Sequence, residues 1–202
     1  MTARAVLFDV GNVLVRWDPR ALYSKIFPDP DECDWFLDHV CTMAWHGAHD
    51  RGVPMAENAL PLIARYPKHA DAIRAWDARF GEMLAGGMIT ETVDAIEAMQ
   101  ARGTPLYALT NMPSQKAAEV FAMSPVYGLF RDIVVSGDEG VTKPDPAIFE
   151  IACARAGLQP ADMLFVDDLP HNVEAAHRLG FDVHLFDDPA ALRPALESRG
   201  LL

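Results

Sequence analysis

The sequence lacks several features that mark specialised classes of protein. Its 202 residues include three cysteines with no CxxC spacing, which argues against a disulfide framework or a zinc site and predicts free thiols in a reducing compartment. An apolar run near the N-terminus is interrupted by Asp9 and is not followed by a small-residue cleavage site, so it is typical of a core strand rather than of a signal peptide or a membrane span. We therefore expect a cytoplasmic protein that does not associate with membranes.

Basic residues are also scarce. Lys and Arg together number 17 against 29 Asp and Glu, which gives a net charge of -12. Binding to nucleic acid or to an anionic membrane surface calls for a basic face, so this balance argues against both partners. Half of the residues are hydrophobic, as in folded globular proteins, and the length suffices for one domain or for one domain with an insertion.

Short apolar runs alternate with helical patterns over most of the chain. The first strand lies in the run that begins at Val6, and the later strands are predicted at Pro105–Leu109, Ile133–Val135, Met163–Val166 and Val183–Phe186. Strands that alternate with helices of this length indicate a parallel sheet with right-handed crossovers. The predicted fold class is α/β, with a Rossmann-like parallel sheet that carries helices on both faces.

The stretch between the first two strands differs from the rest. No strand-like run occurs from Arg20 to about Leu84, and helical patterns are found instead. They cover Arg20–Ile26, Asp31–Met43, Met55–Tyr66 and His69–Leu84. We therefore predict a core of residues 1–16 and 87–202 and an inserted helical segment of residues 17–86, called the inserted segment below.

Polar residues stand where four of the predicted strands end. They are Asp9, Thr110 with Asn111, the segment that runs from Ser136 to Lys143, and Asp167 with Asp168. The ends of parallel strands lie on one edge of a sheet, where ligands bind. Two or three carboxylates suit Mg²⁺, a hydroxyl and a lysine suit phosphate oxygens, and an aspartate can act as a nucleophile. Together they indicate phosphoryl transfer.

The order of these residues resembles the haloacid dehalogenase-like hydrolase superfamily over nearly the whole chain. Its four motifs are matched, in order, by Asp9 in Asp9-Val10-Gly11-Asn12-Val13, by Thr110 in Ala108-Leu109-Thr110-Asn111, by Lys143 in Val141-Thr142-Lys143-Pro144, and by the pair Asp167-Asp168. The helical cap of that superfamily falls between the first two motifs, where the inserted segment is predicted. The resemblance thus implies a hydrolase with a core and a helical cap.

The resemblance also implies roles for individual residues. Asp9 is the implied nucleophile, and Mg²⁺ is ligated by Asp9, the backbone carbonyl of Gly11 and Asp168, with Asp167 close by. Thr110 and Lys143 complete the implied catalytic set, and they bind the phosphate together with Asn111. In the inserted segment, Trp45, Asp50 and Arg51 resemble a loop that closes over substrate. We therefore expect Trp45 and Arg51 to contact substrate. The more common interpretation of a sequence such as Asp50-Arg51 is an exposed pair of charged residues before a turn.

Gly11 departs from the pattern of most phosphatases in the superfamily, which carry there a second Asp as general acid and base. The first motif nevertheless resembles that of a subgroup similar to α-glucose-1-phosphate phosphatase, in which glycine is usual and sugar phosphates are the implied substrates. The general acid is then unassigned. One hypothesis gives the role to His46 or His49, which we place in a glycine-containing loop; the alternative is that both are surface histidines.

Two other functions remain open. A 2-haloacid dehalogenase shares the fold and the nucleophile but uses no metal, and it carries a tyrosine where this chain has Phe149 and typically a serine at the acidic pair. A catalytically weak member that binds a phosphometabolite or a protein is favoured only by Gly11. The leading prediction is a Mg²⁺-dependent phosphatase that acts on a small phosphorylated metabolite, as a monomer or a homodimer.

Overall fold

Five parallel strands form the sheet in the computed structural model, which describes residues 3–202. The strands are β1 (Ala5–Phe8), β2 (Leu106–Thr110), β3 (Asp132–Val135), β4 (Met163–Asp167) and β5 (Asp182–Leu185), in the spatial order β3-β2-β1-β4-β5. Every pairing is parallel, so the carboxyl ends of the strands share one edge. The predicted fold class is confirmed; residues 1 and 2 of the predicted core lie outside the described residues.

Strand β1 is the centre of the sheet. It lies between β2 and β4, and all four of its residues are fully buried. The chain leaves β1 for β2 on one side and reaches β4 on the other, so the strand order reverses here. In open α/β sheets the crevice at such a reversal, outside the carboxyl ends of the strands, is where ligands bind. The residue that follows β1 is Asp9.

Between β1 and β2 the inserted segment is helical, with no named strand in residues 17–86. Its helices are α1 (Arg20–Ile26), α2 (Pro30–His39), α3 (Met43–His49), α4 (Met55–Arg65) and α5 (Ala70–Ala78), followed by a 3₁₀ helix (Phe80–Leu84). The prediction that the insertion is helical is therefore confirmed. Its exact limits, residues 17 and 86, and its action as a cap stay predictions.

Two helix predictions in the inserted segment were wrong in their boundaries. The pattern predicted as one helix over Asp31–Met43 is divided, because the Thr42 side chain accepts a hydrogen bond from the backbone N–H of Trp45 (3.1 Å) and so begins α3. The glycine-containing loop predicted around His46 and His49 is that helix. The pattern over His69–Leu84 is also divided, since α5 ends at Ala78 and a 3₁₀ helix follows.

The remaining helices cover both faces of the sheet. They are α6 (Thr90–Arg102), α7 (Ser114–Phe121), α8 (Ser136–Glu139), α9 (Pro146–Ala156), α10 (Pro170–Arg178) and α11 (Pro189–Glu197). Alternate residues of β1 point to opposite faces of the sheet. Val6 and Phe8 belong to the hydrophobic cluster formed with α6, α11 and the inserted segment, whereas Leu7 belongs to the cluster formed with α9 and α10. In the part of the chain that the structure describes, no helix is long and apolar enough to cross a membrane.

Candidate active site

Asp9 is held in place by the backbone around it. Its own N–H donates to the carbonyl of Val166 in β4 (2.8 Å), and its carboxylate accepts from the N–H of Val10 (2.7 Å). The chain then turns at Asn12, whose φ of +55° is tolerated by asparagine better than by most residues. The Asp9 side chain is therefore fixed at the crevice beyond β1 and is almost fully buried.

Lys143 lies between two of the carboxylates. Its ammonium group contacts Asp9 Oδ1 at 2.8 Å and Asp167 Oδ2 at 2.7 Å, and its side chain is only 1% exposed. Burial alone would lower the pKa of Lys143, but the negative charges of Asp167 and Asp9 outweigh it, and the net shift is upward. The lysine therefore carries its positive charge at neutral pH and ties the ends of β1 and β4 together.

Two asparagines support this ion-pair cluster. The Asn111 side chain donates to the Lys143 carbonyl (3.0 Å) and accepts from the Lys143 N–H (2.8 Å), which fixes the backbone of the lysine. Asn172 donates from Nδ2 to both oxygens of Asp167, at 3.0 and 3.2 Å, and so orients that carboxylate. The Oδ1 atom of Asn172 is buried without a hydrogen-bond partner among the described residues.

The three acidic residues converge. Asp9, Asp167 and Asp168 each offer a carboxylate oxygen, and these atoms lie within 4.8 Å of one another. Burial raises the pKa of Asp9, with further contributions from Asp167 and Asp168 against the opposing charge of Lys143. Burial, followed by the charge of Asp167, also raises the pKa of Asp168. Three carboxylates face one lysine, so two negative charges are in excess, and an oxygen-rich site of that charge fits a hard divalent cation such as Mg²⁺.

A cavity of about 370 Å³ opens above these strand ends. Polar or small core residues on its wall are Asp9, Gly11, Asn12, Thr110, Asn111, Lys143, Asp168 and Asn172; apolar core residues are Val10, Val15, Met112, Pro113, Val120 and Leu169; and the inserted segment contributes Trp17, Met43, His46, Asp50, Phe80 and Leu84. Most of the charged groups therefore come from the strand ends of the core, and the inserted segment contributes mainly apolar side chains. The structure brings the predicted residues Asp9, Gly11, Thr110, Asn111, Lys143 and Asp168 to this cavity, with Asp167 bound to the lysine behind them.

The two residues of the inserted segment predicted to contact substrate lie elsewhere. Trp45 donates its indole N–H to the carbonyl of Asn58 (3.1 Å) and lines a second cavity, between α3, α4 and α5. Arg51 is exposed, and its guanidinium lies beside Gly47. Contact of Trp45 and Arg51 with substrate stays a prediction.

His46 and His49 are buried, so the interpretation of both as surface residues was wrong. Asn58 Nδ2 lies 2.9 Å from His49 Nε2, His49 Nδ1 lies 3.3 Å from His46 Nδ1, and Trp76 donates its indole N–H to that same His46 nitrogen (3.1 Å). Burial lowers the pKa of His46 to about 3 and that of His49 to about 4. Both rings are neutral at pH 7 and are poor sources of a proton for a leaving group.

The contact between the inserted segment and the core is a feature that sequence reasoning missed. Ser136 at the end of β3 accepts from the N–H of Met112 (3.0 Å) and donates to the backbone carbonyl of Asp50 (2.6 Å). Gly52 has a φ of +87°, and a Cβ there would lie 2.7 Å from the carbonyl oxygen of Gly137. The only signal for this contact in the sequence was the pair of small residues Ser136-Gly137 after a strand. The pair does not indicate which residues of the inserted segment it contacts.

The fold and this site define a class of protein, and comparison with known families agrees. A family model described as haloacid dehalogenase-like hydrolase matches residues 3–180. The chain therefore belongs to the haloacid dehalogenase-like hydrolases. The resemblance inferred from the four motifs is confirmed, and the protein is a hydrolase.

Individual proteins of known sequence or structure are also similar to this chain. The chain is 30% identical over 205 residues to phosphoglycolate phosphatase from Escherichia coli O157:H7, covering 88% of this chain and 78% of that protein. It is 35% identical over 213 residues to acyl-CoA dehydrogenase family member 10 from Mus musculus; the match covers 96% of this chain but only 19% of that longer protein. A magnesium complex of the HAD family enzyme bt-2542 from Bacteroides thetaiotaomicron shares the fold, with a TM-score of 0.74, 19% identity and coverage of 96% and 99%.

Proposed function

We propose that this hydrolase is a Mg²⁺-dependent phosphomonoester hydrolase that acts on a small phosphometabolite of the sugar phosphate class, through an aspartyl-phosphate on Asp9. The observation that carries the proposal is the convergence of Asp9, Lys143 and Asp168 on one cavity, with Asp167 bound to the lysine behind them. The phosphatase named among the relatives supports the reaction class. The sugar as leaving group comes from the resemblance of the first motif.

The residues of the site account for the chemistry in two steps. In the first, a carboxylate oxygen of Asp9 forms a bond to phosphorus while the bond from phosphorus to the leaving oxygen breaks. In the second, water attacks the phosphorus of the aspartyl-phosphate, which releases inorganic phosphate and restores Asp9. In this proposal Lys143 and the Thr110 hydroxyl hold phosphate oxygens and stabilise the charge that develops during both steps.

A divalent cation fits the same set of residues. Asp9, the backbone carbonyl of Gly11 and Asp168 would hold Mg²⁺, with Asp167 close by. When bound, the cation offsets the excess negative charge and the repulsion between Asp9 and an anionic phosphate. The Asp167 carboxylate already accepts hydrogen bonds from Lys143, Asn172 and the N–H of Leu169. We therefore propose that it positions Lys143 rather than binding the cation directly.

The inserted segment is the part of the chain that we propose as a cap. It closes the cavity on the side away from the sheet and limits access of bulk water and of large leaving groups. Since Trp45 and Arg51 do not line the cavity, their predicted contact with substrate requires the inserted segment to shift. A cytoplasmic location and a monomeric or homodimeric state remain predictions.

The dehalogenase alternative is disfavoured by the surroundings of Phe149. This side chain is 1% exposed and packs edge-on against Phe165 with ring centroids 5.3 Å apart, so it fills the core between sheet and helix. It has no hydroxyl to offer, and the acidic cluster nearby suits a cation better than a carboxylate substrate. The same cluster disfavours the alternative of a member that only binds its ligand.

A panel of substrates tests the proposal. We expect the protein to release phosphate from sugar phosphates in the presence of Mg²⁺ and to lose that activity in excess chelator, with recovery when Mg²⁺ is restored. Chloride release from 2-chloropropionate serves as the matched assay for dehalogenation. Halide release that persists in chelator would establish the dehalogenase. Mg²⁺-dependent binding of phosphate esters without turnover would establish the binding protein.

A further inference from the structure

Asp50 is an ionisable residue of the cavity that lies outside the proposed cation and phosphate sites. It follows α3, is 8% exposed, and lines the same cavity as Asp9 and Lys143. Its backbone is anchored to the core through the hydrogen bond from Ser136 to its carbonyl. The position of Asp50 over the strand ends is thus set by the packing of the inserted segment on the core.

The carboxyl group of Asp50 has two different environments. Oδ1 is buried and has no hydrogen-bond partner among residues 3–202, and His46 Nε2 lies 3.5 Å from it. Because Trp76 can only donate, His46 Nδ1 accepts, and the neutral ring must carry its proton on Nε2. That nitrogen lies 3.5 Å from Oδ1. A proton on the carboxyl group is therefore better placed on Oδ2.

Among the described residues on the cavity wall, no other acid that is free of the proposed cation site lies beside the nucleophile. Gly11 has no side chain, and a Cβ built there would meet no atom within 4 Å. The neighbouring carboxylates Asp167 and Asp168 belong to the proposed cation site, and His46 is neutral. Asp50 is the remaining carboxyl group on the part of the cavity wall that residues 3–202 form.

We propose that Asp50 is the general acid that protonates the leaving oxygen, and then the base that activates the hydrolytic water, an inference that rests on the proposed phosphatase function. In the first step the Asp50 proton passes to the ester oxygen as its bond to phosphorus breaks, which releases a neutral alcohol and leaves Asp50 as a carboxylate. In the second step that carboxylate takes a proton from the water that attacks phosphorus, and the acid is restored.

The charge balance around Asp50 is consistent with this cycle. Burial raises the pKa of Asp50 to about 7, against the positive charges of Arg51 and Lys143, so both protonation states are accessible near neutral pH. His46 also faces the group but stays neutral, since burial lowers its pKa to about 3. Lys143 keeps its charge throughout this pH range, because Asp167 and Asp9 raise its pKa. Asp9 also titrates near pH 7, but it is the proposed nucleophile and acts in the same way on every ester.

The test compares Asp50→Asn with the intact protein on two phosphate esters in Mg²⁺. An alkyl phosphate needs its leaving oxygen protonated, whereas p-nitrophenyl phosphate does not. Because loss of the base would slow the second step for both esters, the rate compared is that of leaving-group release in a single turnover with the protein in excess, which reports the first step. We expect this rate to fall by ~10²–10⁴-fold for the alkyl ester and to change by less than about tenfold for the aryl ester. Asp71→Asn, at an exposed site of the inserted segment, is the matched control and should leave both rates unchanged. Equal losses on the two esters in Asp50→Asn would overturn the inference.

A second measurement on the intact protein covers the case in which Asp50→Asn fails to fold. The ratio of the single-turnover rate of leaving-group release for the aryl ester to that for the alkyl ester should rise as the pH increases through about 7, because the acid loses its proton. Titration of Asp9 affects both esters and cancels in this ratio, and each rate is corrected for the fraction of its ester that is dianionic. A ratio independent of pH would overturn the role of Asp50. Failure of the proposed function gives a different result, since then the intact protein hydrolyses neither ester.

Discussion

Replacement of Asp9 by asparagine is expected to abolish phosphate release. The asparagine side chain would keep the size of the original and an oxygen for the N–H of Val10, but it has no carboxylate to attack phosphorus. Loss of a nucleophile costs on the order of 10⁴-fold or more in kcat. Phosphate release from the best substrate of the panel, measured with and without Mg²⁺, gives the comparison with the intact protein.

Thermal unfolding supplies the control for Asp9→Asn. The substitution removes one of three converging carboxylates, so the variant should unfold at the same or a higher temperature than the intact protein in the absence of metal. A variant that is folded and inactive assigns the loss to chemistry. A folded Asp9→Asn protein that retains turnover within about tenfold of the intact protein would remove Asp9 from the role of nucleophile.

Lys143→Met is expected to have the second largest effect, on both activity and stability. Methionine approximates the lysine stem but leaves Asp9 and Asp167 without the ammonium group that bridges them. Removal of one partner from a buried ion pair typically costs about 3–5 kcal/mol of unfolding free energy. Loss of the positive charge at the phosphate should lower kcat by ~10²–10³-fold.

Denaturant unfolding and steady-state kinetics measure these two losses, with Lys68→Met at an exposed position as the matched control. The stability deficit of Lys143→Met should shrink as the pH falls, because protonation of the carboxylates removes the repulsion that the lysine offsets. A deficit that is constant from neutral to acidic pH would show that packing of the lysine stem, rather than its charge, stabilises the cluster.

The sheet and the polar edge that carries the candidate site were predictable because their signals are local. Short, continuous apolar runs such as the one that contains β1 are typical of buried strands. Parallel pairing then places the polar residues that follow these strands on one edge of the sheet. Gly103 and Gly157 mark helix ends in the sequence, and both adopt positive φ in the structure. The meeting of Asp9, Thr110 and Lys143 on one cavity follows from this topology.

The inserted segment was less predictable because its arrangement depends on contacts between distant residues. The hydrogen bond from Ser136 to Asp50 joins positions 86 residues apart, and no local pattern announces it. The burial of His46 against Trp76 likewise depends on a contact between residues that are distant in the sequence. One local signal does mark an element of this segment: Thr42, which begins α3 as its N-terminal cap.

Capture of the covalent intermediate tests the central claim most directly. The protein would be mixed with Mg²⁺ and its best phosphate ester, quenched in acid during turnover, digested and analysed by mass spectrometry. The account predicts one added phosphoryl group on the peptide that contains Asp9, formed in the intact protein and absent from Asp9→Asn. Turnover of the ester with no phosphoryl group on that peptide, or with the group on another residue, would contradict it.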